Sequence, residues 1–148
     1  MPTTLEKQLQ AEADHNSGLN CAQSVLKQFV APQQVEDMLK VSSGFGGGIK
    51  IGSVCGALNG GIMALGLKLG SADPELKKLM DAPVKKLVSR FEEVMGNTDC
   101  LEIIGYNVNI PEQRELARSQ GIMEKKCKLA INTVIEIVDE MVASKAAK

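Results

Sequence analysis

The sequence has no tryptophan, three phenylalanines, one tyrosine and a single histidine, His15. Because aromatic rings are so few, platforms on which nucleic-acid bases or flavin rings could stack are scarce. One histidine excludes a three-histidine metal centre and the His-Glu-x-x-His zinc site, and a histidine-activated nucleophile would have to use His15. Excess charge is also missing, since 17 basic and 18 acidic residues leave a net charge of −1. We therefore expect no nucleic-acid partner.

Hydrophobic residues make up 44% of the 148 residues, which is enough for one domain with an aliphatic core over residues 1–148. One mostly apolar segment, residues 54–69, is shorter than the roughly 20 residues that cross a bilayer. It also contains Asn59, Lys68 and four glycines, so we expect a buried helix and no membrane insertion. The N-terminus lacks the basic and apolar regions of a signal peptide, which predicts a reducing cytoplasmic location.

The apolar residues follow a helical period, which predicts an all-α protein. We expect a compact bundle of five to six helices, with a glycine-rich loop at residues 44–48 before the central helix. Ser53 is the predicted N-cap of that central helix, and Gly70 is its predicted left-handed C-terminal residue. The helices are expected over about residues 4–14, 20–31, 34–41, 54–69, 74–95 and 122–142, with a kink at Pro83, a short element near residue 100 and an irregular stretch through Pro111.

Cysteine is the reactive residue type that the sequence does supply, as Cys21, Cys55, Cys100 and Cys127. The spacings of 34, 45 and 27 positions differ from the Cys-x-x-Cys pairs of zinc knuckles and from Cys-x-x-Cys-His haem attachment. Each cysteine is therefore expected on a different element. Cys127 lies on the apolar stripe of the last helix and should face the interior, where a bundle could bring all four together.

Three of the four cysteines fall at predicted helix starts. Asn20 precedes Cys21, Ser53 lies two residues before Cys55, and an Asp99–Glu102 capping pair surrounds Cys100. Unpaired amides and the helix dipole stabilise a thiolate at a helix N-terminus, so we expect lowered thiol pKa values. Thiolates bind metals and exchange disulfides. The alternative is that the cysteines pack as small hydrophobic residues.

Glycines form the second candidate feature. Successive amides in the glycine-rich loop could form an anion-binding nest. Gly56 and Gly60 make a smooth groove on the central helix, which serves either close helix packing or access of an inorganic centre to the backbone. The predicted cofactor-binding residues are Gly46, Gly47, Gly48, Ser53, Gly56 and Gly60. His15 is assigned, beside Asp14, to the polar end of the first helix.

The segment 55–60 reads Cys-Gly-Ala-Leu-Asn-Gly and resembles the signature of the C_GCAxxG_C_C family of redox-active proteins. The Asn20-Cys21-Ala22 sequence, the glycine-rich loop and two later single cysteines follow in the same order. The resemblance implies a helical domain whose four cysteines act together in redox chemistry. It also implies, through the related split-Soret cytochromes, that four thiolates can hold an iron–sulfur cluster, although this chain lacks their haem segment.

The leading hypothesis is electron transfer by a cluster, [2Fe–2S], bound by the four cysteines and serving an unidentified redox partner protein. One alternative is a thiol–disulfide protein in which Cys55 attacks and another cysteine resolves. Structural zinc bound by four cysteines is a further alternative, and so is a helical interaction protein with inert buried cysteines. An apolar face left on the bundle would support a homodimer.

Overall fold

The computed structural model describes residues 2–146, and these residues confirm the all-α fold class. The α-helices are α1 (Thr4–Asn16), α2 (Cys21–Leu26), α3 (Val35–Val41), α4 (Gly56–Leu69), α5 (Asp81–Met95), α6 (Cys100–Ile104), α7 (Pro111–Ser119) and α8 (Ile122–Ala146). Short 3₁₀ turns cover Lys27–Phe29, Pro32–Gln34 and Pro74–Met80. Over the same residues, the single extended pairing is an antiparallel bridge between Val54 and Asp99.

Helix α4 lies at the centre, between α2 on one side and α5 and α8 on the other. Glycines on two faces allow both contacts. A Cβ added at Gly60 would lie 2.6 Å from the carbonyl oxygen of Ala22, and one added at Gly61 would collide with Val134. Because neither glycine has a side chain, α2 and α8 approach the backbone of α4 closely.

The core is aliphatic, as the composition predicts, with one phenylalanine ring at its centre. The large apolar side chains that are almost fully buried are Val25, Leu26, Leu58, Leu65, Leu87, Phe91, Ile131, Val134, Ile135 and Val138. They come from α2, α4, α5 and α8, so one continuous core joins the four helices. No helix within residues 2–146 has the length and apolarity that a bilayer crossing requires.

Several helix ends differ from the prediction. Helix α4 begins at Gly56 with Cys55 as its N-cap residue, so Ser53 is not the cap. The bridge at Val54 keeps the chain extended up to Cys55, which delays the helix. Gly70 has a φ of −82° rather than a left-handed conformation.

The segment after Gly70 also differs from the single long helix that was expected. Residues Pro74–Met80 form a 3₁₀ turn, and α5 begins only at Asp81. Pro83 therefore lies in the first turn of α5, where a missing N–H breaks no helical hydrogen bond and causes no kink. Helix α5 ends at Gly96 with a φ of 81°, as predicted.

Candidate metal centre

All four cysteines line one cavity of about 800 Å³. They reach it from the starts of α2, α4 and α6 and from the first turns of α8. All four are free thiols; Cys55 is buried and the other three are half-buried. Four sulfurs that are far apart in the sequence thus line the same cavity.

Cys21 reaches the cavity because α2 begins beside the start of α4. Asn20 caps α2 as predicted: its side chain accepts a hydrogen bond from the amide of Gln23, and the Gln23 side chain accepts one from the amide of Asn20. A Cβ added at Gly56 would lie 3.2 Å from Cβ of Cys21. Because Gly56 has no side chain, Cys21 lies against its backbone and so beside Cys55.

Cys55 and Cys100 are placed by the bridge between Val54 and Asp99. The Cys55 amide donates to the carbonyl of Thr98 at 2.8 Å, and the Cys100 amide donates to the carbonyl of Ser53 at 2.7 Å. Each cysteine directly follows a bridged residue. Neighbouring residues of an extended chain face opposite ways, so both cysteines lie on the face opposite to Val54 and Asp99.

The glycine-rich loop continues into a left-handed turn above the sulfurs. Gly47, Gly48, Ile49 and Lys50 have successive φ values of 63°, 64°, 58° and 63°. A β-branched residue such as Ile49 costs about 1–3 kcal/mol in this region. The Asn109 side chain donates to the carbonyl of Gly47 at 2.8 Å and holds the loop against the residues that precede α7.

The predicted cofactor-binding residues divide into two groups. Gly46, Gly47, Gly48 and Gly56 line the cavity. Ser53 and Gly60 do not belong to its lining. The backbone of Ser53 joins Gly48 to Cys100, and Gly60 serves the contact with α2, so close packing accounts for this glycine.

His15 lies in the site, against the expectation that it belongs only to the polar end of α1. Its Nε2 is 3.5 Å from Sγ of Cys21. The ligand atoms of His15, Cys21 and Cys127 all lie within 4.8 Å of one another. The six-residue spacing from His15 to Cys21 crosses a turn and matches no ligand motif, so the sequence offered no signal for this contact.

The pKa values of Cys21, Cys55 and Cys100 are raised, whereas their positions at helix starts predicted lowered values. Burial raises the pKa of Cys55 to about 12, although the amides of Ala57 and Leu58 at the start of α4 lower it. Burial likewise raises the pKa of Cys100 to about 11. Hydrogen bonding to Cys127, burial and the charges of the other cysteines raise the pKa of Cys21. For these three thiols, desolvation, mutual repulsion and the hydrogen bond between Cys21 and Cys127 thus exceed the effect of the helix N-termini.

Cys127 differs from the other three. Hydrogen bonding to Cys21 lowers its pKa, and the positive charge of Arg114 adds to this effect. Burial, followed by the Arg114 charge, lowers the pKa of His15 below its usual value. Arg114 lies on α7, a helix that the sequence interpretation did not assign, although Pro111 at its first position is a typical helix-start residue.

One comparison with known proteins identifies the family. Residues 19–141 match the model described as "Putative redox-active protein (C_GCAxxG_C_C)". The chain belongs to the C_GCAxxG_C_C family. No curated protein and no solved structure matches the chain. The matched region contains all four cysteines, whereas His15 lies just before it.

The structure explains why the C_GCAxxG_C_C signature has its spacing. Its cysteine, Cys55, caps α4, and its first glycine, Gly56, makes room for Cys21. Its last glycine, Gly60, is one helical turn further on and makes room for Ala22. The signature therefore fixes how α2 packs on α4, and this packing brings two of the cysteines together.

Proposed function

We propose that this C_GCAxxG_C_C protein transfers electrons by means of an iron–sulfur cluster, [2Fe–2S], bound by Cys21, Cys55, Cys100 and Cys127. The observation that carries the proposal is the convergence of four thiols from four separate elements on one cavity. Four thiolates are the complete ligand set of such a cluster, which supplies a reversible one-electron couple when bound.

The chemistry of the cavity supports this use. Thiols with raised pKa values are neutral near neutral pH in the metal-free protein, and bound metal ions remove this obstacle because a coordinating thiol is deprotonated outright. Gly46–Gly48 and Gly56 contribute only backbone to the cavity lining, which leaves space at that part of the wall. The positive charge of Arg114 partly offsets the negative charge that four thiolates bring together.

The alternatives receive less support. A thiol–disulfide mechanism uses two sulfurs, and it gives no reason for four to line the same cavity. Inert cysteines would fill the core, whereas three of these four are half-buried at a cavity wall. The redox partner protein and the homodimer stay predictions from the sequence. The cytoplasmic location, a reducing compartment in which thiols persist, also stays a prediction.

The proposal is tested on protein purified anaerobically and analysed for iron and acid-labile sulfide. We expect a coloured protein with about two irons and two sulfides per chain and a reversible one-electron reduction. Folded but colourless protein after reconstitution with iron and sulfide would contradict the proposal. So would a loss of two thiols on mild oxidation in protein that holds no iron, because that result indicates disulfide chemistry.

Single Cys→Ser variants extend the test to the individual ligands. Each variant should lose most of its iron while circular dichroism shows unchanged helix content. Gly44→Ala is the matched control, because an added Cβ at this loop glycine meets nothing within 4 Å. Its iron and sulfide content should equal that of the unmodified protein.

A further inference from the structure

Three of the ligand atoms in the cavity already have the spacing of a single-ion site. In a tetrahedral zinc site with Zn–N of about 2.0–2.1 Å and Zn–S of about 2.3 Å, a nitrogen and a sulfur ligand are about 3.5 Å apart. His15 Nε2 and Cys21 Sγ are 3.5 Å apart. Sγ of Cys127 completes a group whose members all lie within 4.8 Å of one another.

We infer that His15, Cys21 and Cys127 bind one divalent ion of the zinc type, through one imidazole and two thiolates, without Cys55 or Cys100. Within residues 2–146, neither Cys55 nor Cys100 joins this group at the same spacing. Nitrogen and thiolate ligands are the set that Zn²⁺ prefers. Three protein ligands leave one coordination position for water or another small ligand from the cavity.

The three ligands are held in place before any ion binds. Ion pairs at both ends of the contact between α1 and α8 join the helices that carry His15 and Cys127. These pairs are Lys7–Asp139 at 2.6 Å and Lys128–Glu12 at 2.9 Å. Asp14, next to His15, pairs with Lys27 at 2.9 Å and so ties the end of α1 to the chain that follows α2. A site assembled on packed helices loses little entropy when it binds a metal.

The ion site has a consequence for the proposed cluster. Both metal states use Cys21 and Cys127, so the two are mutually exclusive. Zinc bound by this group should therefore block cluster assembly. The ion site stands independently of the cluster, whereas this consequence rests on the proposed function.

The test uses Co²⁺ as a spectroscopic substitute for zinc, titrated anaerobically into reduced, metal-free protein. The double variant Cys55→Ser/Cys100→Ser should bind Co²⁺ with an affinity within about threefold of the unmodified protein and keep the thiolate-to-cobalt charge-transfer band. His15→Gln should weaken binding by about tenfold or more, because it removes a ligand.

The opposite pattern would overturn the inference. Loss of Co²⁺ binding in Cys55→Ser/Cys100→Ser, together with unchanged affinity in His15→Gln, would assign the ion to the four cysteines. If His15→Gln is poorly folded, the folded variant Cys55→Ser/Cys100→Ser decides, since loss of Co²⁺ binding in that variant contradicts the site.

A separate reconstitution experiment distinguishes this inference from the cluster. Zinc added first should slow iron–sulfide incorporation in the unmodified protein and have less effect in His15→Gln. If no cluster forms in any variant while Co²⁺ binding still depends on His15, the proposed function fails and the ion site stands. If the cluster forms and His15 has no effect on Co²⁺, the inference fails and the proposed function stands.

Discussion

At the scale of single residues, Asp14 shows how the end of α1 is fixed beside the site. Asp14 is 7% exposed, and its carboxylate accepts hydrogen bonds from Lys27 at 2.9 Å and from the side-chain amides of Gln10 and Gln28 at 3.0 Å. A buried carboxylate is stable only when such donors compensate its lost hydration. His15, the next residue, takes its position from this anchor.

Asp14→Ala should therefore lower the free energy of unfolding by about 1–3 kcal/mol, because it leaves Lys27 and the Gln10 amide without their acceptor and the Gln28 amide with only the Ser24 carbonyl. The control is Glu36→Ala, which removes the salt bridge between Glu36 and Lys40. The Glu36 side chain is 83% exposed. That change should cost less than about 0.5 kcal/mol. Denaturant unfolding of both variants measures the difference, and equal effects would contradict the role of Asp14.

Gly48 is one of the loop glycines above the sulfurs that tolerate no side chain. Its φ is 64°, and an added Cβ would lie 2.5 Å from the carbonyl oxygen of Ser53 and 2.8 Å from Cβ of Cys100. Gly48→Ala should cost about 2 kcal/mol or more from the left-handed conformation and the collision together. Gly44→Ala should be close to neutral, because its Cβ meets open space. Thermal unfolding of the two variants provides the comparison.

At the scale of elements, α4 shows that a helix with poor intrinsic propensity is stabilised by its neighbours. Glycines at positions 56, 60, 61 and 66 weaken the helix in isolation. Three of them let α2 or α8 approach the helix backbone, and this close packing offsets the weakness. Gly66 makes no such contact, since nothing lies within 4 Å of its added Cβ.

Two alanine substitutions in α4 should therefore have opposite signs. Gly60→Ala should destabilise the protein by about 1–3 kcal/mol, because its Cβ would push α2 away. Gly66→Ala should stabilise the protein by about 0.5–1 kcal/mol through helix propensity alone. Chemical denaturation gives both values. A stabilising Gly60→Ala would show that the α2–α4 contact is looser than the structure indicates.

At the scale of the whole molecule, four thiols in one cavity make the stability of the metal-free protein depend on pH. The pKa values of Cys55 and Cys100 are raised to about 12 and about 11. The folded state thus keeps protons that the unfolded state releases. This contribution to stability is complete below the ordinary thiol pKa of about 8.5 and is lost as the pH rises toward 11 and 12.

We therefore expect the reduced, metal-free protein to lose stability between about pH 9 and pH 11. Cys55, which is 7% exposed, contributes a slope of about 1.4 kcal/mol per pH unit in this window. The variant Cys55→Ser/Cys100→Ser should show a shallower slope. Urea midpoints measured across this range give both slopes, and identical slopes would contradict the assignment of the effect to these thiols.

The sequence alone determined the helical fold, the aliphatic core and the four cysteines as the reactive set. These features depend on the helical period of the apolar residues, on the amino-acid composition and on the positions of the cysteines, all of which can be read directly from the sequence. The capped start at Asn20 and the end of α5 at Gly96 followed from residue preferences of the same local kind. The C_GCAxxG_C_C resemblance added the expectation that the cysteines act together.

The tertiary structure decided what depends on residues that are distant in the chain. The bridge between Val54 and Asp99 set the start of α4, and the packing of α1 against α8 brought His15 to Cys21 and Cys127. Burial then raised the pKa values of Cys55 and Cys100, and the hydrogen bond with Cys127 together with burial raised that of Cys21, where local helix dipoles were expected to lower them. The desolvation of a thiol depends on all the elements packed around it, so it cannot be inferred from any single segment of the sequence.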